Sequence, residues 1–253
     1  MNVEKNKIKI DFALFFKRNK ITNTINWISW LYIAFGSIFF SIVLFILNKT
    51  TIIGKENIPK NTKNVILASN HTSYAFDSIF IGIVAFLPQT LFYGFTLPYH
   101  PTAYEHYYSN KIITFIGKQL RCFPVKRKWK HEGGLSKEIG SFDEEGVNLS
   151  LEALKYGPVI YFPEGTRSKD GQIGEGKPGA GMLPYDSKAT VIPVRIENVD
   201  KLLTKKSKFF KMGLKLKVTY GKPIFLDDLY NMEKSKETSK LIVDRIMDEI
   251  KKL

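Results

Sequence analysis

The chain has 253 residues, 44% hydrophobic and 25% charged, with a formal net charge of +14 at pH 7. That length supports one substantial core, and that composition excludes disorder as the chain's main state. Its basicity calls for an anionic partner, left open between nucleic acid, a phospholipid surface and phosphorylated substrates. A single cysteine, Cys122, excludes an internal disulfide, and His71, His100, His106 and His131 show no HExxH-like spacing, so no metal centre is expected.

Residues 21–48 form a run of 28 without a charged side chain. About 20 apolar residues cross a bilayer as a helix, so the run is long enough. Lys17, Arg18 and Lys20 precede it and Lys49 follows, while Trp27, Trp30 and Tyr32 cluster near one end as interfacial anchors do. A single spanning helix and a monotopic hairpin, with residues 8–16 as amphipathic partner and a bend at Gly36-Ser37, both fit. A buried helix of a soluble protein is the third reading. A cleaved signal peptide fits poorly, because the apolar run is too long and no small-x-small cleavage site follows. The partition is therefore a membrane-anchoring segment, 1–48, and a catalytic domain, 49–253.

Residues 48–64 read as a polar connector. Residues 65–68, a short apolar run ending in Ser69-Asn70 and suited to burial on both faces, predict a strand, as do 123–125, 159–162, 191–194 and 214–219. Residues 77–87 predict a helix closed by Pro88, and 136–155 another, ended by Gly157-Pro158. Leu241, Ile242, Ile246, Met247, Ile250 and Leu253 sit at helical steps in an amphipathic closing helix. Short buried strands alternating with helices imply an α/β body.

Two segments carry the chemistry. Asn70-His71-Thr72-Ser73-Tyr74-Ala75-Phe76-Asp77 follows a buried strand, where ligands gather in open α/β sheets. A histidine there can act as a base, with a nearby carboxylate fixing its imidazole. Taken alone, the pair is better read as a helix-terminal histidine and an unrelated aspartate, since a His and an Asp six residues apart occur often by chance. Tyr161-Phe162-Pro163-Glu164-Gly165-Thr166-Arg167-Ser168 also follows a strand, and Pro163 and Gly165 force a turn that exposes Glu164, Thr166 and Arg167. An arginine offers paired donors matched to phosphate, although an ordinary surface turn with a salt bridge fits as well. Clustered cations follow Phe123-Pro124-Val125, and Lys177-Pro178-Gly179-Ala180-Gly181 precedes Val191-Ile192-Pro193-Val194.

Together, in this order, these segments resemble the four blocks of the glycerolipid acyltransferase family, of the lysophosphatidic acid acyltransferase type. Its His-x4-Asp block is similar to residues 70–77, its Phe-Pro-Val-x-Arg block to 123–127, its Phe-Pro-Glu-Gly-Thr-Arg-Ser block is identical to 162–168, and its Val-x-Pro-Val strand matches 191–194. Gly54-Lys55-Glu56-Asn57-Ile58-Pro59 is also typical, and the likeness covers roughly 50–225. Two departures stand out. His71 and Asp77 are separated by five residues rather than four, Phe76 occupying the family's Asp position, and Lys126 replaces a usually acidic residue. Six helical steps of about 100° leave the pair about 120° apart, so His71 must lie in the loop before the helix.

The resemblance implies a mixed sheet flanked by helices, with an N-terminal membrane-associated helical element, and transfer of a fatty acyl group from acyl-CoA or acyl carrier protein to 1-acyl-sn-glycerol 3-phosphate. His71 and Asp77 are the expected catalytic residues, and Arg127, Glu164, Gly165, Thr166, Arg167 and Lys177 the expected substrate-binding ones. Residues 79–87 and 92–108 are expected to wall the acyl chains. No cofactor beyond the thioester co-substrate and no nucleic acid is expected. The expected partners are a phospholipid membrane and a lysophospholipid, with the catalytic domain on the cytoplasmic face. Glycerol 3-phosphate or another lysophospholipid as acceptor, and a non-enzymatic, membrane-tethered basic binding protein, are the alternatives.

Overall fold

A computed structural model describes residues 16–73, 76–92, 97–132, 135–142, 144–168, 171–204, 207 and 209–253, and the side chains of all of these except 127–132, 135–142 and 144. Helix α1 (Asn26–Ser41) continues through a π-helical turn, Ile42–Ile46. Strand β1 (Lys49–Ile53) follows, then β2 (Val65–Ser69), helix α2 (Asp77–Phe86), β3 (His100–Ala103), α3 (Lys111–Gln119), β4 (Cys122–Val125), β5 (Arg127–Glu132) and β6 (Leu135–Phe142). Helix α4 (Glu144–Leu154), β7 (Val159–Tyr161), β8 (Thr190–Glu197), β9 (Lys215–Tyr220) and α5 (Lys236–Lys252) complete the chain.

Five strands form one sheet in the order β1-β9-β8-β2-β7. β2 runs parallel to both β7 and β8, and β8 runs antiparallel to β9. Every residue of β2 and β7 is buried, which explains why these strands are nearly continuous apolar runs. Alternate residues of β2 feed opposite layers. Val65 and Leu67 join α2, with Val43 and Leu44, in one core, while Ile66 and Ala68 join α4 and α5 in the other. Ser235 caps α5 by accepting the Thr238 N–H, and Ile242, Val243, Ile246, Met247 and Ile250 face inward. Leu241, expected on that face, is exposed.

β3 and β4 form a separate parallel pair, joined beside β7 through a parallel bridge between Tyr99 and Val159. The carboxyl end of β4 therefore emerges on the same side as those of β2 and β7.

Three expectations change. Residues 49–53 of the expected connector are an edge strand. The expected helix over 136–155 is a strand followed by a helix, since Leu135–Phe142 pairs antiparallel with Arg127–Glu132 before α4 begins. The boundary after residue 48 falls inside a shared core: Ile33, Val43 and Leu44 are at most 3% exposed, and Ser29 of α1 donates to Gln119 Oε1 of α3 at 2.8 Å. The segment Asn26–Ile46 is long and apolar enough to cross a membrane, with a mean hydropathy of 2.1 over its best window, but one side of it is packed on the body.

Candidate active site

Register between two central strands sets the site. Ala68 of β2 stands opposite Tyr161 of β7. Three residues further along each chain come His71 and Glu164, both just beyond the carboxyl ends of parallel strands, where ligands collect in such sheets. Asn70 holds the end of β2 in place. Its buried side chain donates to Ile196 O at 3.0 Å and accepts the Ile196 N–H at 2.9 Å, extending the ladder to β8 by one side chain.

The chain then turns and α2 starts at Asp77. This carboxylate is 1% exposed and reaches back over its own helix terminus. Oδ2 accepts the N–H of Thr72 at 2.6 Å and of Ser73 at 2.8 Å, and Oδ1 accepts the Thr72 hydroxyl at 3.2 Å. Anionic charge at a helix N-terminus, satisfied by backbone donors, is the favourable place for a buried carboxylate. Oδ2 also lies 2.7 Å from His71 Nδ1. The fifth intervening residue is taken up in the turn, where Ser73 Oγ accepts the Phe76 N–H at 3.0 Å. The Phe76 ring packs against Phe40 at 5.8 Å and Phe210 at 5.3 Å. The imidazole of His71 stacks on Phe162, with centroids 4.2 Å apart and planes 15° from parallel. His71 is only partly buried, so reactants have access to it.

The second loop is tied to the first at His71 itself. Glu164 Oε1 accepts the His71 N–H at 2.9 Å, and Ser168 N–H donates to His71 O at 2.9 Å. Residues 165–167 thus bridge two contacts to one residue. Gly165 adopts φ +67°, and a Cβ there would lie 3.2 Å from Lys177 Cγ, so Lys177 rests against the turn. Lys177 N–H also donates to Pro163 O at 2.9 Å. Thr166 is exposed and Arg167 half-buried.

Two expected substrate contacts take another form. Glu164 is 4% exposed, and its second oxygen accepts the Gly174 N–H at 2.9 Å, so both oxygens bind backbone rather than face an open acceptor site. The N–H of Gly165 donates to Phe162 O at 3.0 Å, so Gly165 supplies the turn rather than an open amide. The backbone of Arg127 opens β5 on the same side of the sheet, and its side chain lies outside the described residues. Asn70 and Phe162 shape the site without having been singled out from sequence. Both stand inside the family-like blocks, where the further signal is a polar residue following a fully buried strand and an aromatic residue at the other strand's end.

A pocket of about 230 Å³ begins one residue beyond Asp77. Ile79, Gly82 and Ile83 of α2, Phe35 and Phe39 of α1, and Leu97 line it. Two buried polar atoms in its wall, His100 Nδ1 and Ser37 Oγ, have no hydrogen-bond partner among the described residues. Burial, with the nearby Arg121 charge, lowers the His100 pKa to about 3, so this imidazole is neutral. Burial pushes the Cys122 thiol up to about 11, which does not suit a nucleophile. Among the described residues no group of three or more His, Cys, Asp or Glu side chains could hold a metal ion.

The family model described as Acyltransferase matches residues 49–197. The chain is 26% identical over 186 residues to the chloroplastic 1-acyl-sn-glycerol-3-phosphate acyltransferase BAT2 of Brassica napus, covering 73% of this chain and 48% of that one. It is 26% identical over 203 residues to the chloroplastic 1-acyl-sn-glycerol-3-phosphate acyltransferase LPAT1 of Arabidopsis thaliana, covering 78% and 50%. The chain thus spans about half the length of these curated relatives. The crystal structure of the 1-acyl-sn-glycerophosphate acyltransferase PlsC from Thermotoga maritima superposes with a TM-score of 0.56 at 21% identity, covering 95% of this chain and 86% of that one. At that identity the likeness shows the fold: a mixed α/β sheet flanked by helices.

Proposed function

The chain belongs to the Acyltransferase family, and from that premise we propose that it transfers a fatty acyl group from a thioester to the free hydroxyl of 1-acyl-sn-glycerol 3-phosphate, giving phosphatidic acid for phospholipid synthesis. The names of the curated relatives support this acceptor. The contact between His71 Nδ1 and Asp77 Oδ2 at 2.7 Å carries the chemical reading. An ionised Asp77 fixes the tautomer with the proton on Nδ1 and leaves Nε2 as the basic atom.

In this mechanism the acceptor hydroxyl attacks the thioester carbonyl carbon while Nε2 takes its proton. The tetrahedral intermediate collapses, the C–S bond breaks, and the departing thiolate receives the proton back from the imidazolium. The ester and a free thiol result, and no acyl-enzyme forms. General base catalysis of this kind contributes about 10²–10⁴-fold. Arg167, Thr166 and Lys177, which lie on or beside the turn bound to His71, hold the acceptor phosphate, with Arg127 as the further cation that the family pattern implies. The apolar pocket beside Asp77 accommodates an acyl chain, which favours a lysophospholipid over glycerol 3-phosphate as acceptor.

The substrates reside in bilayers, and α1 is the element suited to reach them. Ser29, Ile33, Ser37, Val43 and Leu44 bury one side of this helix and its π-helical turn against the body, so the helix lies in the interface plane with Ile38, Ile42 and Ile46 toward lipid. The catalytic body then sits on the cytoplasmic side, where acyl-CoA or acyl carrier protein supplies the thioester.

The test is a competition assay. Purified protein receives either acyl donor together with lysophosphatidic acid, glycerol 3-phosphate and lysophosphatidylcholine. Phosphatidic acid as the dominant product supports the assignment. Dominant acylation of glycerol 3-phosphate would replace the acceptor, and no transfer with either donor would remove the enzymatic reading.

A further inference from the structure

Residues 209–212, just before β9, present two large apolar side chains to solvent: Phe209 is 83% exposed and Met212 69%. Neither belongs to the catalytic turn or to α1. Side chains this apolar and this bare mark a contact surface when they extend a larger apolar patch.

Their position shows that they do. The buried side chain of Asn48 donates to Val43 O at 2.8 Å and to Lys211 O at 3.1 Å, and accepts the Leu214 N–H at 2.8 Å. Gly213 N–H donates to Leu47 O at 2.8 Å. The segment is thereby fastened to the carboxyl end of the long apolar helix. Between Phe209 and Met212, the ring of Phe210 packs on Phe39 at 6.0 Å and Phe40 at 5.9 Å. The exposed face of α1 therefore continues onto a loop that lies more than 160 residues later in the sequence.

Charge identifies the occupant. From residue 201 to 226 the sequence has eight lysines and no aspartate or glutamate. Lys201, Lys211 and Lys215 are exposed. Lys217 pairs with Glu197 at 2.9 Å, and the remaining lysines interleaved with apolar side chains fit a surface that is greasy beneath and anionic on top, as a bilayer rich in acidic phospholipid is. A protein partner would need an acidic apolar face of matching shape, and a nucleic acid would leave Phe209 and Met212 unburied.

We propose that residues 209–212 are a second membrane-contact element, separate from α1, which inserts Phe209 and Met212 among the headgroups of an anionic bilayer while the surrounding lysines pair with phosphate. This surface would recognise anionic phospholipid whatever acceptor the active site uses.

Vesicle co-sedimentation of the full chain tests it without any turnover. The probes are phosphatidylcholine vesicles and vesicles in which one quarter of the lipid is phosphatidylglycerol. The intact protein should prefer the anionic vesicles. Phe209→Ser with Met212→Ser should weaken binding to both kinds by about tenfold or more, the loss expected from two apolar groups leaving lipid. Lys211→Glu with Lys215→Glu should weaken only the anionic binding, by about fivefold or more per lysine. If the double apolar variant does not fold, Phe209→Ser alone, at a bare position, serves instead. Vesicle affinities unchanged by these substitutions would overturn the proposal. So would variants that lose affinity for duplex DNA while keeping it for vesicles. Failure of the acyl-transfer assignment would leave these binding results unaffected.

Discussion

Asp77 Oδ2 and His71 Nδ1 lie 2.7 Å apart although six positions separate the residues and Asp77 is the first residue of a helix. The contact exists because the carboxylate folds back over its own helix terminus and is held there by the N–H groups of Thr72 and Ser73. The helix supplies the position and the preceding turn supplies the histidine. Asp77→Asn should therefore keep the fold and acceptor KM close to normal while lowering kcat by about 10²-fold or more, because an amide no longer enforces the Nδ1–H tautomer or stabilises an imidazolium. Steady-state kinetics of the purified variant measures this. A kcat within twofold of the parent would detach Asp77 from the chemistry.

Glu164 makes a second testable distinction. Its oxygens accept the N–H groups of His71 and Gly174, so it joins the two loops of the site. Glu164→Ala should leave two donors without their acceptor, at up to about 1–3 kcal/mol for the partly buried His71 N–H and less for that of Gly174, which water can reach. The expected result is a lower midpoint in chemical denaturation and a reduced kcat, with Glu164→Gln intermediate because one acceptor remains. Acceptor KM should move little. A large rise in KM at unchanged stability would instead mean that Glu164 touches the acceptor directly.

How far the sequence discloses these relationships depends on burial. β2, β7 and most of β8 are legible because strands covered on both faces become short apolar runs, and β9 because Lys215-Leu216-Lys217-Val218 alternates between solvent and core. β1 is not, since all of Lys49–Ile53 is exposed or only partly buried and its place is set by pairing with β9. β3 carries His100-Pro101-Thr102-Ala103, which has no apolar signature. In 135–142 the spacing of Leu135 and Ile139 is as compatible with a helix as with a strand, so the hairpin merges with the helix after it. In the site, the family's block order points to His71 and Asp77, whereas the register that places Ala68 beside Tyr161, and hence Glu164 beside the His71 backbone, appears only in three dimensions. An acidic residue in an exposed-looking turn reads as a ligand contact until the backbone donors it serves are visible.

Cys122 offers a negative control for the chemistry. Burial holds its thiol near 11, so at pH 8 only about one molecule in a thousand carries the thiolate. Cys122→Ser should retain the parent's activity, and iodoacetamide should inactivate the native protein slowly if at all. Rapid inactivation, with protection by the acyl donor, would favour a covalent route through Cys122.

His100 sets an acid limit on stability. Burial lowers its pKa from 6.5 to about 3 in the folded chain. The unfolded chain therefore binds the extra proton first, and stability falls as pH drops from about 6.5 toward 3, by on the order of a few kcal/mol in all. Above pH 7 the group contributes no pH dependence. Urea denaturation of His100→Asn should show a shallower loss over that window than the parent does. Equal slopes in the two proteins would mean that His100 is solvated or paired in solution.

The central claim is that His71 is the base for acyl transfer to lysophosphatidic acid. Its most direct test is phosphatidic acid formation from acyl thioester and lysophosphatidic acid by purified, reconstituted protein, comparing the parent with His71→Ala at equal membrane loading. The account predicts steady product from the parent and a drop of about 10²-fold or more in the variant, with binding to vesicles unchanged. Near-normal turnover by His71→Ala would contradict it.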